Sequence, residues 1–101
     1  MTQAFLTHEF VVFSFRAEVP VAEQEALMAS VAPFARAQPG FVARHAYFST
    51  EAKRWVDHVI WKDGASAQAA AKQASVDPSM APLMAGIDGA SVSFGHYEER
   101  P

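Results

Sequence analysis

The chain has 101 residues, which suits a single domain (1–101), and half of them are apolar, which is enough for a hydrophobic core. The formal net charge is −3 and no basic run occurs, so we expect no nucleic-acid partner and no anionic membrane partner. The chain lacks cysteine, which excludes disulfides, thiolate nucleophiles and cysteine-based metal sites.

The N-terminal stretch 1–9 has no basic start and no long apolar segment. We therefore expect no signal peptide, no membrane-spanning segment and a cytoplasmic protein. The charged share is 19%, below the roughly one quarter that is usual. Because a small domain has much surface to cover, this shortage of charge favours a partner chain over part of the surface.

Segments with strand and helix character alternate along the chain. Residues 10–16 are rich in β-branched and aromatic side chains and predict the first strand. Residues 22–37 predict the first helix, which Pro33 should kink or end early. Residues 41–49 and 54–61 predict two strands of a hairpin. Residues 67–74 predict a second helix, with Asp63 or Ser66 as its N-cap, and residues 91–98 predict the last strand.

The resulting order, β-α-β-β-α-β, is that of ferredoxin-like α+β domains. Right-handed crossovers predict an antiparallel sheet in the order 4-1-3-2 with the helices on one face. In the first strand, Val11 and Phe13 alternate with Phe10 and Val12, so both faces are apolar. We therefore expect the face without helices to meet a second copy of the same sheet, which makes the protein a homodimer.

Three segments resemble the dimeric α/β-barrel superfamily, and within it the antibiotic biosynthesis monooxygenase-like domains. They are the corner 38–41 (Gln-Pro-Gly-Phe), the strand 56–63 that carries Trp61, and the alanine-bearing helix 65–71. The resemblance implies a dimeric α/β barrel and a cofactor-independent oxygenase acting on a small aromatic or polyketide-like molecule. Many members carry a histidine on the second helix, whereas this chain has none between Trp61 and Gly95, which argues against a haem-degrading activity.

His45 and His58 are the predicted catalytic pair. They lie on the two strands of one hairpin, and a loop centred near residues 51–52 places them opposite each other, about 5 Å apart on one face. Imidazole transfers protons near neutral pH, so either histidine could act as a general base. The alternative is that each satisfies a polar position at the rim of a barrel.

Four further strand residues are predicted to bind substrate. Asp57 and Arg44 are charged residues within apolar strands, and they could instead form a structural ion pair with each other. Trp61 and Tyr47 could grip a planar substrate, or serve only as core or interface aromatics.

The second helix carries alanines at helical spacing, Ala67, Ala70, Ala71 and Ala74. Large sheet residues could fill the space beneath this stripe, and we favour that interpretation. The alternative is a ligand cavity between helix and sheet, with Met80, Leu83 and Met84 as an adaptable wall. Met84 is therefore included among the predicted substrate-binding residues.

A three-histidine metal site that includes His96 is rejected, because the first strand should separate His96 from His58 by roughly 9–10 Å. A site shared across a dimer stays conceivable, but no metal and no cofactor are predicted. The chain is expected to act on a small molecule as an oxygenase; the alternatives are a dimer that binds a small molecule without turnover and a purely structural dimer.

Overall fold

The computed structural model describes residues 5–101. Residues 1–4 belong to the stretch in which we predicted no signal peptide, and they lie outside the described residues. The strands are β1 Thr7–Phe13, β2 Phe41–Ser49, β3 Arg54–Trp61 and β4 Ser93–Glu98. The helices are α1 Val21–Ala29, α2 Val31–Ala37, α3 Gly64–Val76 and α4 Ala81–Gly86, with 3₁₀ turns at Pro78–Met80 and Gly89–Ser91.

The four strands form one antiparallel sheet in the order β2-β3-β1-β4. This confirms the predicted ferredoxin-like α+β topology. Burial alternates along β3: Trp55, Asp57, Val59 and Trp61 are buried, and the residues between them are only half-buried. The helices therefore cover the face that carries these four side chains, which we call the helix-covered face. The opposite side is the helix-free face.

The first strand differs from its predicted position. It runs from Thr7 to Phe13, three residues earlier than expected at both ends, and Phe15 forms only an isolated bridge with Ile87. Both edges of β1 are hydrogen-bonded, to β3 and to β4, from Thr7 onward. Pairing on two sides outweighs the weak strand propensity of the polar residues His8 and Glu9, so both enter the sheet.

Pro33 has the predicted effect on the first helical segment. The segment divides at Ser30 into α1 and α2, and Pro33 lies in the first turn of α2. Proline has no N–H to donate to the carbonyl four residues before it, here Ala29, so a continuous helix would lack that hydrogen bond.

The turn before β2 is fixed by contact with the start of α3. Gly40 has a φ of 84°, and a Cβ atom at this position would collide with the Ser66 side chain. The Gly40 carbonyl accepts a hydrogen bond of 2.8 Å from the Lys62 N–H. Of the two predicted N-caps, Asp63 is the one used: its carboxylate accepts a hydrogen bond of 2.8 Å from the Ser66 N–H.

The apolar core divides into two clusters on the helix-covered face. The larger lies towards the β2–β3 hairpin and consists of Phe13, Phe15, Met28, Val31, Trp55, Met80 and Leu83. The smaller lies at the other end of β3, beneath the first half of α3, and consists of Val59, Trp61, Ala67 and Ala70. Members of both clusters border one cavity, which becomes the candidate site.

Candidate functional site

A cavity of about 410 Å³ lies between the sheet and the helices. Its floor is formed by side chains of the helix-covered face, Glu9, Val11, Phe13, Asp57, Val59, Trp61 and Phe94. Its roof is formed by helical residues and the segments that join them, Val31, Phe34, Ala35, Ala70, Ala71, Ala74, Met80, Leu83, Met84 and Ile87. Arg16, Gly89 and Val92 complete the lining. The volume lies within the range of about 300–1,000 Å³ that is typical of small-molecule pockets.

The alanine stripe of α3 explains why the space is open. Ala67 is fully buried against Val59 and Trp61, so the first turns of the helix pack closely on the sheet. Ala70, Ala71 and Ala74 instead line the cavity, and their methyl groups leave the space below them unfilled. Our preferred interpretation, in which large sheet residues fill this space, is therefore wrong for the second half of α3.

Trp61 is a lining residue that also has an unsatisfied hydrogen-bond donor. The residue is 2% exposed, and its Nε1 is a buried polar atom without a partner among the described residues. A buried N–H that lacks an acceptor costs about 1–3 kcal/mol. Among the described residues, Trp61 is thus the one with a buried, unpartnered side-chain donor, and it borders the cavity. Trp55, the other tryptophan of β3, donates its Nε1 proton to Gln24 Oε1 at 3.0 Å.

Arg44 and Asp57 form the ion pair that their sequence positions suggested. Arg44 Nε donates to Asp57 Oδ1 at 2.8 Å, and the Arg44 Nη2 atom donates to the Met28 carbonyl at 3.0 Å, near the end of α1. Burial raises the pKa of Asp57, and the Arg44 guanidinium opposes that rise. Asp57 lines the cavity, whereas Arg44 does not, so Arg44 acts on the cavity only through its partner.

Glu9 and His96 form a second, half-buried pair, which was not predicted from the sequence. His96 Nε2 donates to Glu9 Oε1 at 3.0 Å, and the two side chains are 21% and 13% exposed, respectively. Burial raises the pKa of Glu9, while the hydrogen bond and charge of His96 oppose the rise. Glu9 lines the cavity. We began the first strand at Phe10 and so left Glu9 out, although its alternation with Val11 and Phe13 was a signal that places it on their face.

The predicted catalytic histidines lie on the helix-free face, away from the cavity. His45 is directly opposite His58 in the hairpin register, and their ring centroids are 5.8 Å apart, close to the expected separation. His58 Nε2 is also 2.8 Å from His8 Nδ1, and its ring stacks on Phe10 at 4.3 Å. The structure therefore brings the two histidines together but does not bring them to Trp61, and their catalytic role stays a prediction.

The remaining predicted site residues are divided between the two faces. Met84 lines the cavity and is 49% exposed, so it lies at the opening. Tyr47 is two residues from His45 along β2 and is therefore on the helix-free face, where it is 56% exposed. Trp61, Asp57 and Met84 thus share the cavity, whereas Tyr47 does not line it.

Within residues 5–101, no group of three or more histidine, aspartate or glutamate side chains is arranged to hold a metal ion. His96 is bonded to Glu9 on the helix-covered face, on the opposite side of the sheet from His58. In the same part of the chain, no helix combines the length and the apolar character that a membrane crossing requires.

Comparison with known proteins finds solved structures of similar fold. No family model matches the sequence, and no curated protein matches it. The structure of SnoaB from Streptomyces nogalater, described as a cofactor-independent oxygenase, is similar with a TM-score of 0.79 and 23% identity over 97% of this chain and 96% of that one. A protein from Bordetella bronchiseptica, provisionally assigned as an antibiotic biosynthesis monooxygenase, gives a TM-score of 0.81 and 15% identity, over 96% and 99% of the two chains.

A conserved protein from Methanosarcina mazei Go1 is also similar, with a TM-score of 0.73 and 16% identity, over 96% of this chain and 95% of that one. These likenesses extend over nearly the whole chain, and at such identities they establish its fold. The chain therefore shares its fold with these proteins, which is the fold that the resemblance of its sequence segments implied.

Proposed function

We propose that this protein is a cofactor-independent oxygenase that binds a small aromatic or polyketide-like molecule in the cavity between sheet and helices. The observation that carries the proposal is that Trp61, a residue of the largely apolar lining, has a buried Nε1 without a hydrogen-bond partner. The fold shared with SnoaB, which is described as such an oxygenase, supports the reaction class.

The cavity suits a flat, weakly acidic carbon compound. Three of the side chains that line it are charged, Glu9, Arg16 and Asp57, and the rest are apolar or small. Aromatic and aliphatic walls bind a flat ring system, while the Trp61 N–H would donate to a carbonyl or phenol oxygen. That hydrogen bond strengthens when the oxygen gains negative charge, because hydrogen bonds to ionised acceptors are stronger than neutral ones.

The overall reaction balances without a further reductant. When a ring methylene becomes a carbonyl, R₂CH₂ + O₂ gives R₂CO + H₂O, so the substrate supplies all four electrons that reduce oxygen. The protein's part is to bind the ring, promote loss of a proton from carbon, and hold the resulting enolate where dissolved oxygen reaches it.

Anthrone, a tricyclic ketone with one acidic methylene, provides a test of this function. We expect the protein to accelerate oxygen uptake and anthraquinone formation beyond the rate in buffer. Trp61→Phe should lower the rate by about 10- to 100-fold, because it removes a donor that a charged oxygen would use. Trp55→Phe is the matched control, since Trp55 does not line the cavity, and it should keep the wild-type rate.

Two outcomes would contradict the proposal. Equal rates for the wild-type protein and Trp61→Phe would remove Trp61 from the reaction. Saturable binding of anthrone without any acceleration would reject catalysis and favour the alternative, a dimer that binds small molecules without turnover.

We also infer that two copies associate through the helix-free face, as the predicted dimeric barrel requires. Phe10, Val12, Val56 and Ile60 are half-buried on this face, and Tyr97 is 59% exposed beside them. Such a concentration of apolar side chains is typical of a protein interface. A cytoplasmic location stays a prediction.

Sedimentation velocity tests the dimer. We expect a two-chain species at micromolar concentration, and Ile60→Glu should convert it to single chains because it places a charge in the contact. Val76→Glu is the matched control, because Val76 is 72% exposed at the end of α3. A wild-type protein that sediments as a folded monomer would refute the inference.

A further inference from the structure

We propose that Glu9 is the general base of this site and removes the proton from the substrate carbon, with His96 as its positioning residue. The inference rests on the proposed function and adds to it the group that starts the reaction. Glu9 lies on the floor of the cavity, and its carboxylate is held by His96 at 3.0 Å on the neighbouring strand β4.

The other charged groups of the cavity are less suited to accept a proton. Asp57 Oδ1 already accepts a hydrogen bond of 2.8 Å from the Arg44 guanidinium, so a proton taken up by Asp57 would compete with this ion pair. The Arg16 guanidinium offers only hydrogen-bond donors and no acceptor. His45 and His58 lie on the opposite side of the sheet. Glu9 is the remaining candidate among the charged residues that line the cavity.

Burial also prepares Glu9 for proton transfer. It raises the pKa of the Glu9 carboxyl above its ordinary value of 4.5, which brings the group closer to working pH and makes its anion more basic. The titratable groups that face Glu9 are His96 on β4, which lowers the pKa, and Asp57 on β3, which raises it. The helical roof adds alanine and other apolar side chains.

The register of the sheet brings Glu9 and Trp61 close together on the helix-covered face. Glu9 pairs with Val59 and Thr7 pairs with Trp61, so Glu9 and Trp61 are diagonal neighbours on one face of adjacent strands. The Cα atoms of such diagonal pairs are roughly 7–8 Å apart. A flat ketone whose acidic carbon lies across the ring from its carbonyl would fit between them, with the oxygen at Trp61 and the carbon at Glu9.

The proton step is balanced within these groups. The Glu9 carboxylate forms an O–H bond as the substrate C–H bond breaks, and the C–H electron pair moves into the ring to give an enolate oxygen. No group is oxidised or reduced at this step. The Trp61 N–H donates to the enolate oxygen. His96, the hydrogen-bond partner of Glu9, is the more exposed side chain of the two.

Hydrogen–deuterium exchange under argon isolates this step from the reaction with oxygen. The wild-type protein in D₂O should accelerate exchange of the anthrone methylene protons, followed by proton NMR. Glu9→Gln should slow the protein-dependent exchange by about 100-fold or more, as loss of a general base does. Glu98→Gln is the matched control, because Glu98 lies on β4 outside the cavity lining, and it should exchange at the wild-type rate. Quenching of tryptophan fluorescence should show that each variant still binds anthrone.

His96→Gln provides an independent test. Since His96 lowers the pKa of Glu9, its removal should move the rising limb of the exchange rate to higher pH. A purely structural role would lower the rate at every pH without moving the limb, and would overturn the assignment of His96. Wild-type exchange in Glu9→Gln would overturn the assignment of Glu9, as would the absence of any exchange by the wild-type protein. Exchange without oxygen uptake would reject the oxygenase function and leave the base in place.

Discussion

Arg44→Met is the change whose effect follows most directly from the structure. The Arg44 and Asp57 side chains are 11% and 12% exposed, so this pair is largely removed from water. Removing one partner of a buried pair typically costs about 3–5 kcal/mol, because the other charge is left without compensation. Methionine keeps most of the apolar volume of the arginine stem, so the loss of charge dominates.

The protonation of Asp57 limits how much unfolding free energy Arg44→Met can remove. An unpaired carboxylate can take up a proton on folding, at about 1.36 kcal/mol for each pH unit above its ordinary pKa of 3.8. The maximum loss of unfolding free energy is therefore about 4.4 kcal/mol at pH 7 and about 1.6 kcal/mol at pH 5. We expect the free energy of unfolding to fall by about 3–4 kcal/mol at pH 7 and by less than about 2 kcal/mol at pH 5.

Urea unfolding followed by circular dichroism, at one fixed protein concentration, measures both values. Arg36→Met is the matched control, since Arg36 is exposed in the last turn of α2 and its loss should change the stability by less than about 0.5 kcal/mol. A loss for Arg44→Met that is below about 1 kcal/mol, or that is equal at the two pH values, would refute the reasoning.

Three further changes test other parts of the structure. Gly40→Ala should lower the free energy of unfolding by about 2 kcal/mol or more, because the new Cβ atom is strained at a positive φ and collides with Ser66. Gly89→Ala is the control: its Cβ atom would meet open space, so the free energy of unfolding in urea should change little. Ala71→Leu should fill the cavity and abolish anthrone binding in fluorescence titrations while retaining or raising the melting temperature; undiminished binding would contradict the assigned cavity. Burial and the neighbouring histidines lower the pKa of His58 below 6.5, so its contribution to stability is present above pH 6.5 and lost as the pH falls through the folded-state pKa. The melting temperature of the wild-type protein should therefore fall more on acidification than that of His58→Gln, and parallel curves would contradict this.

Local patterns in the sequence were sufficient for the topology. The alternation of strand and helix segments predicted the sheet order that the structure shows. The length of the hairpin connection predicted that His45 lies opposite His58. Both follow from short-range physics, because turn residues and the two-residue period of a strand act over a few positions.

The same period already separated two members of the predicted site. His58 and Trp61 are three residues apart in one strand, so their side chains must point to opposite faces and cannot share a pocket. Which face the helices cover is a different matter, because both faces of β1 and β3 are apolar. Burial of the larger aromatic side chains, Trp55 and Trp61, against the helices decides it.

The sequence by itself determined the order of the elements and the topology of the sheet, and it predicted that His45 and His58 lie nearly opposite each other. Only the tertiary structure decided that α3 stands above an open cavity rather than a filled one. It also joined Glu9 to His96, which are 87 positions apart in the chain, through the register in which β4 pairs with β1. A contact of that range depends on how every intervening element packs, and no local pattern of residues encodes it.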